Sequence, residues 1–355
     1  MRKYLSFGIK AIVSFALIWY LLSTTPFSEI LASLRSAQPF WLVAAFLMIY
    51  LGKVLTTWRW QAILNAQGIR VPFFKLMASV FVGQFFNSLL PTTVGGDASR
   101  AYDVARYSKE AAASVTSVLM DRLIGVFALS LLSVLALVIG YQLGEDISFF
   151  VFPVAAVFLV CFTSLVLIFN AALVSKVNGF LKRLRLAKLA RQIELASLSL
   201  RQLSQQKGVL LLAFLISLVL QINVVLFYYL ISLSLHLDVS LLYYFMVITI
   251  ALVVLLLPFS INGIGVREGI FVYLLGGLGV ASPDAIALSW ISFGLMLPQG
   301  LTGGVILAVR GARLKRLNPP ESGEESGSHS VPSRREKELL VLQDAPTRLE
   351  KEESG

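Results

Sequence analysis

Two short clusters in this sequence combine residue types suited to holding an anion. The first runs from Asn87 past Pro91 to Gly95, Gly96, Asp97 and Arg100, and the second follows Pro258 with Asn262, Gly263, Gly265, Arg267 and Glu268. Proline stops a helix, because it lacks the backbone donor and clashes with the preceding turn. Glycine permits positive φ and leaves backbone N–H groups uncovered. Several such groups near a helix start form an anion-receptive nest. The planar arginine fork donates two parallel hydrogen bonds to a phosphate. Each cluster also sets an acid beside its base, Asp97 with Arg100 and Glu268 with Arg267. Such an acid could hold the arginine, meet a cationic headgroup or carry a proton. A plainer reading makes these residues helix caps that pair with each other. Two similar clusters in opposite halves of the chain favour binding.

Other chemistry is sparse. Arg122, beside Asp121 within an apolar block, is the next candidate for lining a polar path, or else an interfacial arginine with its head in water. Gln84 and Asn87 share a helix face, and Gln221 and Asn223 sit mid-block; interhelical hydrogen bonds account for such amides. Gly300 and Gly304 have a spacing suited to helix packing. The one cysteine, Cys161, and the two histidines, His236 and His329, lack metal-ligand spacing, so no metal is expected. With no nucleotide-binding motif, no cofactor is expected and direct ATP drive is unsupported. Asp97, Asp121 and Glu268 are the candidates for a general base, and no recognisable catalytic site surrounds them, so the chain reads as a non-enzyme, with a membrane enzyme or an accessory subunit of a lipid or glycolipid biosynthetic synthase as the alternative.

The elements that must position these residues are membrane helices. Of 355 residues 57% are hydrophobic and 14% charged, with mean hydropathy +0.80, where soluble domains run at about 45–50% and about 25%. Apolar blocks fall near 4–22, 40–57, 75–90, 113–140, 148–170, 209–232, 241–258, 269–280 and 285–309. From Gly311 on there are 8 basic and 9 acidic residues, so the net charge of +10 belongs to the membrane part. The basic residues are spread over loops without a recognition motif, which argues against nucleic acid as a partner.

Basic loops favour the cytoplasm. The segment 171–208 has eight lysines and arginines against Glu194, and is placed inside, where 177–204 could lie on anionic headgroups as an amphipathic helix. Working outward from it, block 75–90 has basic residues at both ends, and 241–280 starts and finishes outside. Each reads as a re-entrant hairpin. The expected fold is therefore an all-α polytopic membrane protein with about six full transmembrane helices plus two re-entrant hairpins in an inverted repeat; eight or nine ordinary spans are the alternative. The halves are about 1–140 and 148–316, with both termini cytoplasmic and a mostly disordered tail at 317–355. Loop 58–75, with Arg59, Arg70 and Lys75, is placed inside.

The run Gly83-Gln84-Phe85-Phe86-Asn87 through Pro91 and Gly95-Gly96-Asp97 to Arg100 resembles the first signature of the lysylphosphatidylglycerol synthase transmembrane, or flippase-like, family. Ser114-Val115 through Asp121-Arg122-Leu123-Ile124-Gly125 is similar to a second, with Asp121 where the family pattern has Glu. Leu257-Pro258 through Asn262-Gly263-Ile264-Gly265-Val266-Arg267-Glu268-Gly269 is similar to a third. The resemblance covers residues 1 to about 316. It implies a bacterial or archaeal inner-membrane protein that moves or binds lipids, with lipid headgroups as partners, and leaves open a biosynthetic synthase partner or a second copy. Its best-known members carry a soluble aminoacyl-transferase domain. The tail after residue 316 is short and polar, so lysyl transfer is not an expected activity here.

Overall fold

A computed structural model describes residues 15–89, 94–144, 148–169, 205–257 and 263–317. Among these residues the chain is all helical. The elements are α1 (Phe15–Thr24), α2 (Phe27–Ser36), α3 (Pro39–Ala66), α4 (Phe73–Leu89), α5 (Val94–Ser108), α6 (Ala111–Gln142), α7 (Ser148–Phe169), α8 (Lys207–Ser234), α9 (Leu241–Leu256), α10 (Val266–Gly276) and α11 (Ser282–Leu317). Residues 1–309 form one compact unit; of the second, 310–355, only the helical stretch to Leu317 is described.

Five helices, α3, α6, α7, α8 and α11, are long and apolar enough to cross a bilayer, and the pair α1–α2 makes a sixth if it counts as one broken span. That pair bends by 86° at Thr25-Pro26. Proline at the junction removes the donor that a continuous helix would need. α4, α5, α9 and α10 have 17, 15, 16 and 11 residues. At 1.5 Å per residue each falls short of the ~30 Å hydrocarbon core. α4 is described to Leu89 and α5 from Val94, while α9 ends at an extended Leu257 and α10 begins after Gly265. Both prolines, Asn262 and the basic segment 171–204 lie outside the described residues.

The structure corrects two boundaries. Residues 27–36, left between the apolar blocks 4–22 and 40–57, form α2. Arg59, read as a loop residue, lies in α3, which continues to Ala66. Thr56, Thr57, Arg59 and Gln61 lower the average hydropathy there, but Trp60, Ile63 and Leu64 bury one continuous face. The helix stops where Gly68 adopts φ 78° and the Ile69 N–H returns to the Leu64 carbonyl at 3.0 Å.

α9 is apolar all round, and Tyr244, Met246–Ala251 and Val253 are all buried, as a helix without a polar face requires. It packs against α6, α7, α8 and α10, while α3 lies along α8 and α5 is held between α4 and α6. The second arms start alike: Asp97 is the fourth residue of α5, and Arg267 and Glu268 are the second and third of α10.

Candidate functional site

Three helices, α3, α5 and α6, bring charge into one cluster, and α8 adds a serine. Arg59 of α3 donates from Nε to Asp121 Oδ1 at 2.7 Å and from Nη1 to Ser217 Oγ of α8, also at 2.7 Å. Arg100 of α5 donates from Nη2 to Asp121 Oδ2 at 3.0 Å. One carboxylate on α6 thus accepts from two guanidiniums on two other helices. Arg122, next on α6, pairs with Asp97 of α5. The sequence expectation joined Asp97 to Arg100, but that contact is a loose 3.9 Å. Side-chain exposure falls from 39% at Arg122 and 24% at Asp97 to 11% at Arg100 and 3% at Asp121. The charges therefore form a ladder that runs from an accessible end to a buried one.

Arg100 is the hinge of this ladder. Its guanidinium lies 4.2 Å from the Trp60 ring centroid, within cation–π range. Its Nε is buried and has no hydrogen-bond partner among the described residues. Trp60 is itself fixed by its Nε1–H donating to Ser117 Oγ at 3.1 Å. Nearby on α3, Lys53 Nζ donates to Gln84 Oε1 of α4 at 2.7 Å, so this cation is held by a neutral amide.

The α4–α5 crossing depends on glycine. The Gly96 N–H donates to Asn87 Oδ1 at 2.9 Å, and a Cβ at Gly96 would sit 2.3 Å from the Gly83 carbonyl oxygen. Gly96 is helical, so close approach rather than positive φ requires glycine here. Gly95 precedes it in α5, partly buried. Asn87→Ala is expected to remove one acceptor at a cost of about 1 kcal/mol, read as a melting temperature lower by roughly 2 °C.

The second cluster closes on itself. Gly263 and Gly265 have φ of 76° and 82°, as the turn requirement predicts. Glu268 Oε2 accepts from the Gly265 N–H at 2.7 Å, and its Oε1 accepts from Arg267 Nη2 at 3.0 Å and from Ser289 Oγ at 2.7 Å. Arg267 Nε donates to Ser289 Oγ at 2.8 Å, and its guanidinium lies over Phe293. Both charged side chains are buried.

The structure therefore collects Asn87, Gly96, Asp97, Arg100 and Arg122 in one place, and Gly263, Gly265, Arg267 and Glu268 in another. Arg100 and Arg267 share no partner among the described residues. The nest expectation needs correction at two positions, because the N–H groups of Gly96 and Gly265 are already taken by Asn87 and Glu268. Residues missed were Arg59, Trp60, Ser117, Ser217 and Lys53 in the first cluster and Ser289 in the second. Arg59 left a signal, since Trp60, Ile63 and Leu64 continue a helical face beyond it. The serines left none.

A sequence model of the lysylphosphatidylglycerol synthase transmembrane region matches residues 8–308. A UPF0104 membrane protein of Methanothermobacter thermautotrophicus is 27% identical over 281 residues, covering 74% of this chain and 82% of that protein. A UPF0104 membrane protein of Pyrococcus horikoshii is 23% identical over 173 residues, 48% of this chain and half the length of the relative. The three-motif resemblance and the helical architecture agree with these matches, and the chain is a multi-pass membrane protein that belongs to the lysylphosphatidylglycerol synthase transmembrane-region family.

Proposed function

We propose that this protein binds the headgroup of an anionic or phosphate-containing lipid at the Arg122–Asp97–Arg100 ladder and carries it across the membrane. The lipid class is a phospholipid, an aminoacyl-phospholipid or a polyprenyl-phosphate lipid. The observation that carries this reading is Arg100: a guanidinium anchored to Asp121, stacked on Trp60, with one buried N–H unclaimed. A buried donor without an acceptor is costly, and a phosphate oxygen would satisfy it with a charge-assisted bond.

Asp97 acts as the placeholder. It holds Arg122 and lies loosely beside Arg100. An incoming phosphate takes that position on both arginines, and Asp97 turns toward the wetter side. The α4–α5 and α9–α10 helix pairs serve as opposed re-entrant hairpins of two inverted halves. Both termini are cytoplasmic. Transport rather than lipid chemistry is supported by Asp121 and Glu268, whose oxygens all accept hydrogen bonds already.

Mass spectrometry of lipids retained by the purified full chain tests the site. Wild type is expected to retain anionic phospholipid over phosphatidylethanolamine. Arg100→Gln is expected to lose at least ten-fold of that preference, since each tenfold corresponds to about 1.4 kcal/mol and a charged hydrogen bond supplies about 1.5–3 kcal/mol. Equal preference in the folded variant contradicts the assignment.

A further inference from the structure

Beside α10 is a cavity of about 390 Å³ whose lining is apolar apart from one tyrosine. Leu17 of α1, Phe150 of α7, Val254 of α9, and Gly269, Ile270 and Tyr273 of α10 line it. No charged side chain lines it, although Arg267 and Glu268 belong to the same helix, because both fold back onto Ser289. Gly265, whose N–H is fixed by Glu268, forms one edge. The polar turn of the second cluster thus meets the cavity at Gly265.

Glycine makes the space. A Cβ at Gly269 would meet nothing within 4 Å, and Gly269 is helical, so neither backbone conformation nor packing asks for glycine there. A glycine inside a helix costs about 1 kcal/mol relative to alanine. The missing side chain instead leaves a notch one turn along from Gly265. The space is open on one side, and its apolar walls offer a water few of the two to four polar partners it needs. At ~30 Å³ for each water-sized group, the volume holds on the order of a dozen methylenes.

We propose that this cavity is a binding slot for one hydrocarbon chain of a membrane lipid, seated against Gly269 with its polar end toward the Gly263–Gly265 turn. The chain class is acyl or isoprenoid. The proposal rests on the lipid reading above and adds a second point of hold: the headgroup ladder reads charge, and this slot reads chain. The three arms around it come from α1, α7 and the α9–α10 pair, so one chain bridges elements that are not continuous in sequence. The slot is therefore selective for length and branching rather than for the headgroup.

Photolabelling tests it with the full chain in vesicles of phosphatidylethanolamine and phosphatidylglycerol. Two probes carry a diazirine at mid-chain, a phosphatidylglycerol and an uncharged diacylglycerol. Label is read by peptide mapping at Tyr273, which is 55% exposed, and at the more exposed Phe152 and Leu301 elsewhere on the surface. A bound chain gives Tyr273 at least a five-fold excess over those two with both probes. Gly269→Leu is expected to abolish the excess while helix content by circular dichroism stays unchanged, because leucine suits a helix and enters open space. Equal label at all three positions identifies bulk lipid and overturns the slot. Protection of Tyr273 identifies a protein segment, from this chain or a second copy, as the occupant and also overturns it. Either failure leaves the charge preference of the Arg100 site untouched. Loss of that preference with the excess retained overturns the headgroup reading alone.

Discussion

Asp121→Ala is expected to cost about 3–5 kcal/mol of stability, the range for removing one partner of a buried ion pair. The carboxylate accepts from Arg59 at 2.7 Å and from Arg100 at 3.0 Å, and it is nearly inaccessible. Its removal leaves two buried guanidiniums with Ser217, the Trp60 ring and the loose Asp97 contact as their remaining partners. The measurement is the yield and melting temperature of the detergent-purified chain. A shift of this size is on the order of 6–20 °C, taking roughly 2–4 °C per kcal/mol for a large domain. Asp121→Asn is expected to fall between, since the amide still offers one acceptor. Combining Asp121→Leu with Arg59→Met removes one charge pair entirely and is expected to recover part of the loss. An Asp121→Ala protein as stable as wild type would mean that the ladder is not a brace.

Gly96→Val is expected to separate α4 from α5. The added Cβ alone would lie 2.3 Å from the Gly83 carbonyl and 2.4 Å from Asn87 Oδ1. The first of these is backbone, so no side-chain rotation relieves it. Overpacking of this kind costs about 1–3 kcal/mol, and loss of the Asn87 bond adds to it. The larger effect falls on function. Asp97 and Arg100 sit one and four residues beyond Gly96 on the same short helix, and a shift of α5 by an ångström breaks their alignment with Arg122 and Asp121. Selective retention of anionic lipid is therefore expected to vanish in a protein that still folds. Gly269→Ala is the contrast, because its Cβ meets open space and alanine improves the helix by up to about 1 kcal/mol. Equal damage from the two substitutions would contradict the packing account.

Much of the architecture was legible because a bilayer imposes a simple code. Long apolar blocks became α3, α6, α7, α8 and α11, and the short apolar blocks became α4, α9 and α10. Arg267 and Glu268 were legible as a pair because they are adjacent and share a first helical turn. The first cluster was legible only in membership. Asp97 and Arg100 are three apart in sequence, yet their firm partners lie on α6, at separations of 25 and 21 residues. Local spacing offered the i,i+3 pair, and tertiary packing chose otherwise. Arg59 reaches across 62 residues to Asp121 and 158 to Ser217, distances at which one sequence gives no pairing information. It was also hidden by averaging, since a polar turn at the end of α3 resembles a loop when only hydropathy is read.

Glycine illustrates the same limit. Gly263 and Gly265 have the positive φ that a turn beside proline suggests. Gly96 resembles them in sequence but serves a helix crossing, and its N–H is spoken for by Asn87. Composition could not separate the two uses, because both need the absence of a Cβ.

The headgroup ladder is tested most directly by flux in proteoliposomes. A fluorescent phosphatidylglycerol is placed in one leaflet, and its appearance in the other is followed by dithionite quenching. Wild-type protein is predicted to move it at least ten-fold faster than empty vesicles, Arg100→Gln to return the rate to that of empty vesicles, and Lys53→Gln to leave more than half of it. A variant lacking the Arg100 charge that moves the lipid at the wild-type rate, with the fold intact, would contradict the account.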